Sequence, residues 1–160
     1  LPGPCVLDAD ALNIIALQPH LIDYIPVDSV LTPHPKEFER LFGKSVNSLE
    51  RIRLAREKSR ELNVVIVLKG ANTLIATPDG KLYFNSTGNP GMASGGMGDV
   101  LTGIIAGLMA QGYSSADSSI LGVYLHGLSA DQALFYQSEE SLLASDVIAQ
   151  LGSAFKLLRT

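Results

Sequence analysis

Five consecutive residues, Val64-Val65-Ile66-Val67-Leu68, form an apolar run with no polar break, and the first four are β-branched. A run this short suits a strand. Successive strand side chains point to opposite faces, so a run without alternation needs cover on both sides. Such a strand belongs to a layered α/β architecture with helices above and below a sheet. The rest of the chain supplies the other elements. Cys5-Val6-Leu7 and Val30-Leu31 are brief strand candidates. Asp10 is placed to cap a helix through Ala11-Leu12-Asn13-Ile14-Ile15, and Pro35 to open one through Phe42 that Gly43 closes. Residues 47–63 set Leu49, Ile52, Ala55 and Leu62 on one face with charged side chains outside it, an amphipathic helix. Residues 73–76 and 81–84 flank the turn signal Pro78-Asp79-Gly80 and read as a hairpin. Further helices are predicted over residues 99–111, 115–136 and 145–158.

A chain of 160 residues matches one domain. Its net charge of −4 argues against nucleic acid or an anionic membrane surface as a partner. The single cysteine, Cys5, cannot form an internal disulfide, in keeping with a reducing, cytoplasmic setting. The longest tempting apolar stretch, residues 100–110, falls far short of the ~20 residues a bilayer span needs. A signal peptide is not expected, since no basic segment, apolar stretch and small-residue cleavage site precede Val6. Without an initiator Met, Leu1-Pro2-Gly3-Pro4 reads as the interior of a longer protein.

The stretch from Gly88 to Asp99 carries the chemistry. Five glycines fall within residues 88–98, just ahead of the helical Val100-Leu101-Thr102-Gly103-Ile104-Ile105. Glycines at a helix entrance let free backbone N–H groups converge, and the helix dipole adds positive potential there. Gly95, Gly96, Met97 and Gly98 therefore read as an anion pocket suited to phosphate, with a merely structural tight turn as the alternative. Asp99 either caps the helix or faces that pocket as a base. A carboxylate beside a held phosphoryl group is what transfer to an alcohol requires. Neither a P-loop Gly-Lys-Ser/Thr nor a Gly-x-Gly-x-x-Gly fingerprint is present. Gly103 and Gly107, four apart on the helix, read as close-packing positions.

The segment Gly91-Met92-Ala93-Ser94-Gly95-Gly96-Met97-Gly98-Asp99-Val100-Leu101-Thr102-Gly103 strongly resembles the signature of the NAD(P)H-hydrate dehydratases, within the ribokinase-like superfamily. Leu31-Thr32-Pro33-His34-Pro35-Lys36-Glu37-Phe38, Asp8-Ala9-Asp10-Ala11-Leu12-Asn13 and Val67-Leu68-Lys69-Gly70-Ala71-Asn72-Thr73 resemble three further motifs of that family. The resemblance implies a ribokinase-like three-layer α/β/α domain over residues 1–160, with a mainly parallel sheet, a β-hairpin, and the N-terminal part of the fold missing. It implies repair of hydrated NADH or NADPH: the ring hydroxyl is phosphorylated, then phosphate is eliminated. ADP would give AMP, or ATP would serve instead, with Mg²⁺ bridging phosphates. By the same resemblance Asp99 is base and substrate contact, and His34 contacts the hydrated cofactor. Gly98 and Lys69, Gly70, Ala71, Asn72 and Thr73 hold the nucleotide.

Read from the residues alone, Lys69-Gly70 ends a buried strand, where α/β proteins place ligands, although a snorkelling lysine followed by a turn glycine is the plainer reading without the resemblance. His34 is held between two prolines on a short loop. Asp8, Asp10 and Asn13 follow a strand end and could reach metal or substrate, or serve the helix. His126, in the apolar Leu121-Gly122-Val123-Tyr124-Leu125-His126-Gly127, reads as a hydrogen-bonded packing residue, and His20 and Cys5 as inert. Two rivals stand: a thiazole, pyrimidine or sugar kinase of the same superfamily, and a fragment that binds nucleotide or assembles without turnover. A sheet lacking its N-terminal strands leaves an unpaired edge, so homo-oligomerisation is expected.

Overall fold

The computed structural model describes residues 3–159; Leu1 and Pro2, where the chain start suggested a longer protein, lie outside the described residues. Strands β1 (Val6–Leu7), β2 (Val30–Leu31), β3 (Val65–Leu68), β4 (Leu74–Ala76) and β5 (Leu82–Phe84) form one sheet in that spatial order. Pairings β1–β2 and β2–β3 are parallel, with Val6 opposite Val30 and Val30 opposite Val65. The hairpin β4–β5 adds two antiparallel pairings, Val67 facing Ile75 and Ile75 facing Tyr83. The sheet is thus mixed, parallel through β1–β3 and antiparallel beyond.

Strand β3 lies at the centre and is buried along its whole length. Its alternate residues serve different cores. Ile66 and Leu68 pack with Leu12 of α1 (Ala9–Leu17), Phe38 of α2 (Pro35–Phe42) and Ala55 of α3 (Ser48–Leu62). Val65 and Val67 pack with Leu101 and Ile105 of α4 (Met97–Ala110) and Val123 of α5 (Ser115–Ala133). Two helical layers around one sheet are what the unbroken apolar run required. Helix α6 (Ala144–Leu157) extends the second layer, where Val147 and Leu142 meet Met97, Ala130 and Ala133. None of the described helices is long and apolar enough to cross a membrane.

Local signals explain most boundaries. The Asn47 side chain accepts from the Glu50 N–H to start α3, and Asn63, in the left-handed conformation, ends it. Gly43 at φ 97° closes α2. Helix α1 departs from expectation: it begins at Ala9, so the N-cap position falls to Asp8 and Asp10 lies in the first turn. Asp8 makes no side-chain cap, because its carboxylate is held elsewhere. Helix α4 also begins earlier than its apolar pattern suggests, with Gly96 at φ 85° as N-cap and Asp99 in the first turn, so Asp99 is not the cap. Gly103 and Gly107 are not packing glycines, since a Cβ at either would meet nothing within 4 Å. The close-packing glycine of this layer is Gly122, where a Cβ would stand 2.9 Å from Ile105 Cγ1.

Candidate active site

Three element ends converge at the carboxyl end of the parallel strands. Lys69 follows β3, Asp8 follows β1, and Gly98 sits in the first turn of α4. Lys69 Nζ donates to Asp8 Oδ1 at 2.6 Å, and Thr102 Oγ1 donates to Asp8 Oδ2 at 3.0 Å. The Asp8 side chain is only 10% exposed, so the pair is largely shielded from water. A Cβ on Gly98 would lie 3.4 Å from both Asp8 Oδ2 and Lys69 Nζ, so this glycine brings the α4 entrance against the ion pair. Ala9, next to Asp8, has φ 46°, a left-handed conformation that costs a non-glycine residue energy and that active sites often hold.

A cleft of about 760 Å³ opens beside this junction, lined by His34, Lys69, Gly70, Thr73, Met97 and Gly98 among others. His34 is fixed as the N-cap of α2: its Nδ1 accepts from the Lys36 and Glu37 N–H groups at 3.1 and 3.3 Å. Glu37 returns the contact, accepting from the His34 N–H at 2.8 Å, and its other oxygen lies 3.3 Å from His34 Nε2. Glu37, 5% exposed, is a buried carboxylate that sequence reasoning treated only as a helix residue. The signal was there in the His-x-x-Glu spacing of a capping box. Thr73 Oγ1 donates to the Gly70 carbonyl at 3.0 Å and so closes the turn that carries Ala71 and Asn72, both exposed.

The far wall of the cleft rests on a residue the sequence did not flag. Asp131 of α5 accepts from the Gly88 N–H at 2.9 Å and from Asn89 Nδ2 at 3.0 Å, anchoring the start of the glycine-rich loop. Thr87 Oγ1 donates to the Tyr124 carbonyl at 2.9 Å on the same helix. Gly127 permits this approach, since a Cβ there would stand 2.3 Å from Thr87 Oγ1. His126, beside it, lines the cleft, and its Nε2 is buried with no hydrogen-bond partner. The hydrogen-bonded packing role expected of it does not hold for that nitrogen.

The remaining expected residues lie around this centre. Gly95 and Gly96 are exposed at the α4 entrance, while the Met97 side chain turns into the core. Asp99 is exposed and lines an adjoining apolar groove of about 470 Å³ with Val100, Ile104, Ile148, Leu151 and Phe155. His34 and Asp99 therefore line different cavities, which meet at the α4 entrance where Gly98 lines one and Asp99 the other. Asn13 Oδ1 accepts from Arg40 Nη1 at 2.8 Å, tying α1 to α2, and Asp10 is exposed. Among the described residues no three His, Cys, Asp or Glu side chains cluster so as to hold a metal ion. Both Asp8 oxygens are engaged by protein groups.

The helix entrance and the lysine at the carboxyl end of a central strand sit in a three-layer α/β fold, and this fold is shared with ribokinase-like proteins. A ribokinase-like superfamily protein from Enterococcus faecalis superposes with a TM-score of 0.75 at 30% identity, covering 94% of this chain and 52% of that one. The model of the NAD(P)H-hydrate dehydratase family matches residues 2–151, and the chain belongs to that family. A bifunctional NAD(P)H-hydrate repair enzyme from Moorella thermoacetica is 46% identical over 149 residues, 91% of this chain and 28% of that protein. The ADP/ATP-dependent NAD(P)H-hydrate dehydratase from Bacillus subtilis, co-crystallised with ATP/Mg²⁺, has a TM-score of 0.79 at 36% identity, covering 96% of this chain and 54% of its own. The chain thus spans about a quarter to a little over half of the relatives it matches.

Proposed function

We propose that this chain carries the nucleotide-binding and phosphoryl-transfer part of an enzyme that repairs hydrated NADH or NADPH, with ADP as phosphoryl donor and AMP as product. The observation that carries the reading is the convergence of Lys69, Asp8 and Gly98 at the α4 entrance. Free N–H groups of the first helical turn and the Lys69 ammonium supply positive potential where phosphoryl oxygens gain charge. Nucleotide in the cleft would reach Lys69, Gly70, Ala71, Asn72, Thr73 and Gly98, and His34 would meet the hydrated cofactor. Asp99, one residue past Gly98, takes the proton of the ring hydroxyl as its oxygen attacks phosphorus. The bond to the leaving nucleotide breaks, giving AMP and a phosphate ester. Loss of phosphate together with a ring proton then restores the dihydropyridine.

The described residues do not form a metal cage. Mg²⁺ would enter on the nucleotide's own phosphates, as it commonly does. A cytoplasmic small-molecule enzyme that acts on neither nucleic acid nor membrane fits this chemistry. Self-association through a second copy of the chain is part of the proposal, because β1 is an edge strand.

The share of the relatives spanned favours a second reading, nucleotide binding without turnover. One assay separates the two. Hydrated NADH incubated with ADP and the protein should regain the absorbance of reduced nicotinamide. Calorimetric ADP binding without that recovery leaves binding alone. A stable phosphorylated alcohol formed from some other substrate would make the protein a kinase.

A further inference from the structure

His126 has no role in the reaction just described, yet its position is unusual. It is 7% exposed, it lines the cleft, and its Nε2 lacks any hydrogen-bond partner. Around it the cleft wall is apolar, built from Met97, Leu101 and Val123. Burial pushes the imidazole down to about 4, against a smaller opposing effect of the Met97 backbone, so the ring is neutral near pH 7. A neutral imidazole has one N–H donor and one lone-pair acceptor. Nε2 meets no partner on the protein, so it is open to a donor that a bound molecule brings.

A purely structural side chain here would be expected to satisfy both ring nitrogens or to be aliphatic, since an unmet buried acceptor destabilises the fold. The hydrogen-bond deficit lies on the wall of the cleft that opens on Lys69 and Gly98, and a bound molecule can fill it. The supporting elements hold it in place. Gly127 brings α5 against Thr87, and Asp131 anchors Gly88 and Asn89, so the ring sits on a rigid wall.

We propose that His126 is a nucleoside-binding residue, whose free ring nitrogen accepts a hydrogen bond from an N–H or O–H donor of a nucleotide bound in the cleft. The inference rests on the nucleotide reading above and adds a contact at the nucleoside end, away from the phosphates. A base amine and a ribose hydroxyl offer the same donor chemistry.

The test uses the full 160-residue chain and ADP itself. In ¹⁵N spectra of the histidine rings, ADP should shift the resonance of the unprotonated His126 nitrogen. Calorimetry should show ADP binding weakened about three- to tenfold in His126→Leu, the loss expected of one hydrogen bond, and partly restored in His126→Gln. The Tm of His126→Leu should not fall, because the variant removes an unmet acceptor. Inosine diphosphate and 2′-deoxy-ADP identify the donor: whichever analogue binds wild type more weakly, but His126→Leu no differently from ADP, lacks it. Unchanged ADP affinity in His126→Leu with a lowered Tm would make the residue packing only and overturn the proposal. ADP binding that leaves the ring nitrogens unmoved overturns it even if no variant folds. Absence of any ADP binding removes the nucleotide reading and this contact with it.

Discussion

At the scale of single residues, burial decides which charges matter. The unfolded His126 would titrate near 6.5 and the folded one at about 4, so between those values the unfolded chain binds more protons. The contribution is complete above pH 6.5 and is lost as pH falls toward 4, worth on the order of 3 kcal/mol in all. Urea unfolding of wild type and His126→Leu between pH 4 and 7 should therefore give a difference that grows with acidity, the variant losing less. Parallel curves would show that His126 does not titrate on unfolding. Lys69 is governed by its partner. Asp8→Asn leaves the ammonium without its 2.6 Å counter-ion and should destabilise the fold by about 1–3 kcal/mol. Chemical denaturation measures this, and an unchanged midpoint would mean the pair contributes nothing net.

Among the elements, what could be read from the sequence was what local chemistry specifies. The β-branched run, the amphipathic pattern over residues 47–63 and the Pro78-Asp79-Gly80 turn each act within a few residues, and each element formed where expected. The starts of α1 and α4 were not legible, for a physical reason. Asp8 leaves its capping role for a lysine 61 positions away, and Gly96, not the carboxylate of Asp99, opens α4. The glycine pattern pointed to an anion pocket at Gly98 and the family resemblance put Lys69 with the nucleotide, but neither showed which cavity Asp99 faces, because that groove is built with side chains of α6. His126 looked like core because its sequence neighbours are apolar. Only the approach of α5 to Thr87 makes it part of the cleft. Two glycine substitutions probe that approach. Gly127→Ala forces a Cβ to within 2.3 Å of Thr87 Oγ1, and should cost about 1–3 kcal/mol and weaken ADP binding. Gly103→Ala meets open space in a helix interior and should stabilise by about 0.5–1 kcal/mol. Thermal melts of both variants check the pair, and equal shifts would contradict the packing described here.

For the whole molecule, the apolar surface left open has a consequence. Strand β1 stands at one edge of the sheet, and near it Pro4, Cys5, Val6, Met109 and Tyr113 line a further cavity of about 610 Å³. The Asp99 groove presents Ile148, 58% exposed, with Leu151 and Phe155. Sheet edges and contiguous apolar surface are both places where a second copy can add. A lysine at position 148 would put charge on the groove without touching the cleft, because Ile148 lines only the former. If the groove holds the copies together, Ile148→Lys should shift the protein toward monomer in sedimentation velocity while ADP affinity stays at the wild-type value. If the β1 edge holds them, the same variant leaves the assembly intact. A wild-type chain that sediments as a monomer at every concentration rules out both surfaces as contacts between copies.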